Sequence, residues 1–100
     1  EWKIKTNQIF IIYVSVETLD GARLLLYTPQ NINYDYTHGI GTNVIDDKWH
    51  TIHRDLEEDL KDIEPNNKII EVNGFLVRGS MLLKNIELNK YSIGKEIILD

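Results

Sequence analysis

No cysteine occurs among the 100 residues. That absence removes disulfides, thiolate metal sites and cysteine nucleophiles together, though it does not fix a compartment. Long hydrophobic runs are missing too. The longest near-apolar stretch, Ile9 to Val16, is far too short to cross a bilayer, and no signal-peptide pattern is visible. Positive charge is scarce: 11 Lys and Arg stand against 16 Asp and Glu, a net charge of −5 with no run of basic residues. Phosphate backbones are held by basic stripes, so nucleic acid is not an expected partner. The same balance gives no attraction to an anionic membrane surface. With 42% hydrophobic and 27% charged residues, the chain can form one small globular domain with a real core.

Strand formers dominate what is present. Trp2 to Lys5 alternates, Gln8 to Val16 is rich in Ile, Val, Phe and Tyr, and Ala22 to Thr28 follows an Asp20-Gly21 turn signal. Gln30 to Thr42 reads as a loop, Asp46 to Lys48 as a turn, and Trp49 to Asp55 as a strand. Leu56, Leu60 and Ile63 share one face of a predicted two-turn helix with its acids on the other positions, Asp55 as a candidate cap and Pro65 as its stop. Ile69 to Arg78 is a long strand with a bulge expected at Asn73-Gly74. Met81 to Leu88 and Glu96 to Leu99 complete the set. Short strands joined by turns, with no βαβ alternation, predict an all-β, antiparallel β-sandwich with one short helix.

Alternation assigns faces. Phe10, Ile12, Val14 and Val16 form the natural core face of the second strand, and Leu24 and Leu26 that of the third. The mixed sets, Ile9, Ile11, Tyr13 and Ser15 with Arg23, Leu25 and Tyr27, are expected outside. A sheet face with phenol rings and guanidinium groups suits a sugar, whose CH groups stack on rings while its hydroxyls meet polar side chains. The other reading is that a further strand, a loop or a second copy covers these residues, because exposed Ile and Leu mark interfaces.

The pattern Phe10-Ile11-Ile12-Tyr13-Val14, Tyr27-Thr28-Pro29, His38-Gly39-Ile40-Gly41, Trp49-His50-Thr51, Arg54-Asp55-Leu56 and Val72-Asn73-Gly74-Phe75-Leu76, with Val77-Arg78-Gly79-Ser80, resembles a bacterial jelly-roll domain appended to exported multidomain proteins. It is similar to carbohydrate-binding modules of the galactose-binding-like type. The resemblance implies a sandwich of jelly-roll type, polysaccharide or oligosaccharide binding, and an extracellular, cell-surface or periplasmic setting. It also implies a chain that starts one or two strands late, as part of a longer protein. Such modules often hold a structural calcium on paired aspartates before the last core strand. Here that stretch is Lys84-Asn85-Ile86-Glu87-Leu88, with lysine in place of a carboxylate, so no calcium is expected.

Individual residues sharpen these expectations. His50 and His53 are three apart and point to opposite strand faces, so no histidine metal site is expected. The run Asp55, Glu57, Glu58, Asp59 and Asp62 reads as the solvated face of the helix, not as a hydrolytic carboxylate pair. Arg54 and Arg78 end strands, where each meets either a sugar or a local acid such as Asp55, Asp59 or Glu71. Trp49 reads as a core anchor. The expected site is therefore Tyr13, Arg23, Tyr27, Arg54 and Arg78 on a sheet face, with Tyr34, Tyr36 and His38 at its rim. It has no catalytic residue, cofactor or metal. The expected function is non-catalytic carbohydrate binding. The alternative is a structural or protein-interaction domain, with a second copy on the mixed face as one expected partner.

Overall fold

A computed structural model describes residues 1–88 of the chain. It is an all-β sandwich of two sheets. The strands are β1 (Trp2–Lys5), β2 (Ile11–Thr18), β3 (Gly21–Thr28), β4 (Thr37–Gly39), β5 (His50–Ile52), β6 (Ile69–Arg78) and β7 (Leu82–Lys84), with a 3₁₀ turn at Thr42–Val44 and one helix, α1 (Leu56–Lys61). The smaller sheet runs β5-β1-β7 and the larger runs β4-β3-β2-β6. The strand expected at Glu96 to Leu99 lies outside the described residues.

The core lies between the sheets. Trp2 and Ile4 of β1 and Ile52 of β5 face Ile12, Val14 and Val16 of β2, Leu25 and Tyr27 of β3, and Phe75 and Val77 of β6. Trp2 is the aromatic anchor: its ring lies 5.3 Å from Phe75 edge-on and 5.6 Å from Tyr27. Trp49, expected in that role, is 42% exposed, because it precedes β5 and does not share the inward register of Ile52.

The face assignment holds on β2 and is reversed on β3. A two-residue loop, Leu19-Asp20, joins the pair Thr18↔Gly21, and the register then sets Val16 against Arg23, Val14 against Leu25 and Ile12 against Tyr27. Residues directly opposite share a face, so Leu25 and Tyr27 are buried while Leu24 and Leu26 turn outward. The turn is pinned by the buried Asn67, whose amide donates to the Thr18 hydroxyl and whose Oδ1 accepts from the Asp20 N–H.

On β6 the expected bulge is present. Gly74 pairs with Ser15 and Val72 with Val16, which leaves Asn73 as the extra residue. The bulge changes the parity of the strand, so Phe75 and Val77 beyond it and Val72 before it all reach the core. Two expectations are corrected. The 30–42 segment is not all loop: Thr37–Gly39 adds β4, and it pairs with β3 in parallel within otherwise antiparallel sheets. The strands expected over Trp49 to Asp55 and Met81 to Leu88 shorten to three residues each.

Helix α1 is capped as expected: the Asp55 carboxylate accepts from the Glu58 N–H. Acids fill its first turn and Lys61 its last, which suits the helix dipole. Leu56 and Leu60 dock on the core, and Asp59 is buried with them.

Candidate functional site

The expected site residues separate onto two sides of the larger sheet. On the outer side, β2 presents Ile11, Tyr13 and Ser15 between its neighbours. Tyr13 lies between Leu26 and Leu76, Ser15 between Leu24 and Gly74, and Ile11 beside Arg78. Ser15 and Gly74 are small, so the middle of the face is low. A shallow groove of about 490 Å³ runs from Ser15, Leu24 and Leu26 toward Tyr34 and Tyr36 on the segment before β4. The Tyr34 side wall is open, with the residue 53% exposed. Arg78 is exposed at the end of β6.

The groove ends at the rim of the sheet, where Arg23, opposite the inward Val16, and Tyr36, packed against the core, run to the inner side and join a closed set of polar contacts. Arg23 donates from Nε and Nη2 to the two Glu64 oxygens at 2.8 and 3.0 Å, and its Nη1 donates to the Ala22 carbonyl. The Tyr36 hydroxyl donates to Glu64 at 2.6 Å, and Asn67 donates to its other oxygen. Hydrogen bonds from Arg23 and then Tyr36 hold the Glu64 carboxyl at about 2, and the Glu64 bond raises the Tyr36 phenol above its ordinary value. Arg23 and Tyr36 are therefore fixed at the rim between the two sides of the sheet, and their polar groups are committed to Glu64.

The other side of the same sheet holds Tyr27, His38 and Arg54. Tyr27 and His38 are paired across β3 and β4 and are 0% and 2% exposed. Neither lies on an accessible face, because the parity set by the β2–β3 hairpin turns them inward. The Tyr27 hydroxyl donates to Asp59 at 2.6 Å. Arg54 donates to both oxygens of that carboxylate, from Nε at 3.0 Å and Nη2 at 2.7 Å, and its guanidinium also lies 5.4 Å from the Tyr27 ring centroid. Burial first, and the Asp59 charge second, push the Tyr27 phenol far up, so it stays protonated. Of the two roles open to Arg54, it takes the local acid.

Asp59 also departs from the expectation. It is 4% exposed, not on the solvated helix face. Its signal was spacing: it lies three residues after Leu56 and one before Leu60, inside the apolar stripe. His38 Nε2 lies 3.7 Å from Asp59 and 3.4 Å from Asp62, and these three groups have the spacing of metal ligands. The Arg54 guanidinium already neutralises Asp59 at hydrogen-bond distance, and this ion pair ties α1 and the β5–α1 turn together beside Tyr27 of the sheet. Compared with family models, with curated proteins and with solved structures, the chain matches none.

Proposed function

We propose that the domain is a non-catalytic carbohydrate-binding module, of jelly-roll, galactose-binding-like type and part of an exported bacterial protein. Its site is the outer groove of the larger sheet. The observation that carries this reading is the open Tyr34 ring beside a low sheet surface. Such a ring can stack on the CH face of a pyranose, Ser15 in the groove offers a group for its hydroxyls, and Tyr13 and Arg78 stand farther along the same face for a longer chain. The Arg23–Glu64–Tyr36 set holds the rim beside the groove and, in this reading, serves as scaffold. Tyr27, His38 and Arg54 serve as scaffold in this reading. Binding of this kind is weak per module and gains by avidity.

The test is affinity electrophoresis in neutral polysaccharide gels, with and without calcium. Retardation by one polysaccharide, lost in Tyr34→Ala and weakened in Tyr13→Ala, is the expected result. A second reading rests on a specific observation: Leu24, 50% exposed, lies beside Leu26 on the same face. If no gel retards the protein and sedimentation finds a dimer that Leu24→Lys dissociates, the face is a protein interface and the sugar reading fails.

A further inference from the structure

The outer face of the smaller sheet has a character that the linear sequence conceals. Trp2 and Ile4 point into the core, so Lys3 and Lys5 point away from it. The β1–β7 register sets Lys84 directly opposite Lys3, and Leu82 opposite Lys5. Strands β5 and β7 flank β1 on opposite sides. Even so, the Lys84 ammonium lies 4.0 Å from the ring centroid of Trp49, which immediately precedes β5. That contact crosses β1, so Lys84 and Trp49 lie over the same face as Lys3 and Lys5. Trp49 and Leu82 are both exposed there.

Among the described residues, Lys3, Lys5 and Lys84 have no carboxylate within 4.0 Å, whereas Arg23, Arg54 and Lys61 each have one. Like charges directly opposite each other in an antiparallel pair destabilise it. Glu1, the next residue in the same alternation, is engaged by His53 at 3.0 Å. The three ammonium groups issue from backbone positions about 5 to 8 Å apart, the spacings of opposed, alternate and diagonal residues in a strand pair. The cation–π contact holds Lys84 over the strand and leaves its N–H groups free to donate.

We propose that this face binds an acidic polysaccharide along β1. Its carboxylate or sulfate groups meet Lys3, Lys5 and Lys84, and a sugar ring packs against the exposed Leu82. Charge complementarity selects the class of ligand, and slenderness selects within it. A bilayer or a nucleic-acid duplex meets the field of the whole molecule, which is net negative at −5. A single polysaccharide strand meets only the patch. This face is distinct from the groove of the larger sheet and does not depend on it.

The test is affinity electrophoresis in gels containing polygalacturonate, dextran sulfate or neutral dextran, at low and high salt. Vesicles of anionic lipid serve as a separate probe. The wild-type protein should be retarded by the acidic polymers, and less so at high salt. The double variant Lys3→Gln/Lys84→Gln should bind about tenfold or more weakly, with a melting temperature little changed, because the lost Lys84–Trp49 contact offsets the relief of the Lys3–Lys84 repulsion. Lys68→Gln, a change in a lysine outside this face, should bind as the wild type does. Three outcomes overturn the proposal: no retardation by either acidic polymer, equal loss in Lys68→Gln, or binding to the vesicles alone. Loss of neutral-polysaccharide binding in Tyr34→Ala bears only on the groove, so the two readings fail separately.

Discussion

Arg54 grips the buried carboxylate of Asp59 with two hydrogen bonds, of 3.0 and 2.7 Å. The two residues straddle the start of α1, so this pair fixes the helix against the sheet, with the Tyr27 hydroxyl as a third donor at 2.6 Å. Asp59→Ala strands a guanidinium and a phenol, and should cost on the order of 3 kcal/mol, because removing one partner leaves the other desolvated and alone. Replacing both charged partners, Arg54→Met with Asp59→Leu, should cost less than Asp59→Ala. Equilibrium urea unfolding measures both. Equal midpoints for the wild type and Asp59→Ala would show that the pair does not anchor the helix.

Glu64 gives the fold a pH dependence of known sign. Its carboxyl ordinarily titrates at 4.5 and in the folded protein is held at about 2, chiefly by the Arg23 hydrogen bonds. The unfolded chain therefore binds the proton more readily. The contribution is present above about pH 4.5 and disappears as pH falls toward 2. Thermal midpoints followed through that window should decline, and Glu64→Gln should flatten that part of the decline. A variant with the wild-type slope would remove Glu64 as its source.

Gly39 is required by close approach. A Cβ there would sit 2.4 Å from the Gln30 carbonyl oxygen and 2.6 Å from that of Ile32. Both are main-chain atoms that cannot swing aside, so Gly39→Ala should displace β4 and cost roughly 1–3 kcal/mol. Gly74→Ala is the control on the same sheet, since its nearest neighbour would be the Ser15 Cβ at an ordinary 3.9 Å. Circular-dichroism melting should separate the two. Equal melting temperatures would mean that β4 yields without cost.

The Asp55 cap admits a graded test. Asp55→Ala should destabilise the domain by about 1 kcal/mol, and Asp55→Ser should restore most of the loss, because a serine oxygen can accept from the same N–H. If serine and alanine behave alike in urea unfolding, the side chain of Asp55 acts through something other than the cap.

Where the sequence was legible, one local signal decided the outcome. Asp55 before an i, i+4 pair of leucines marks a capped helix start. Asn73-Gly74 inside a long β-branched strand marks a bulge, and unbroken alternation from Phe10 to Val16 marks a core face. The β3 faces were read from side-chain character alone. A two-residue hairpin pairs an even-numbered residue with an odd-numbered one, so an inward Val14 requires an inward Leu25. Tyr27 could be buried only because a partner for its hydroxyl lies on α1, and no local pattern carries that contact. β4 was illegible for a similar reason: its parallel pairing with β3 depends on a glycine fitting beneath two carbonyls, a tertiary fact. The outer groove was only half legible, since Tyr34 stands open as a loop residue should while Tyr36 is tied to a glutamate 28 positions away.

β1 lies in the middle of its sheet, yet its partners are residues 50–52 on one side and 82–84 on the other. On a ribosome, these four residues emerge long before either neighbour exists. The β2–β3 hairpin can zip as soon as it is made, but Trp2 and Ile4 must wait while most of the domain is synthesised. Loop closure over such distances is slow, and an unpaired strand of this kind invites the wrong neighbour. The two lysines that alternate with the apolar pair then have a second role, as charges that keep the waiting strand soluble and discourage its premature pairing with another nascent chain.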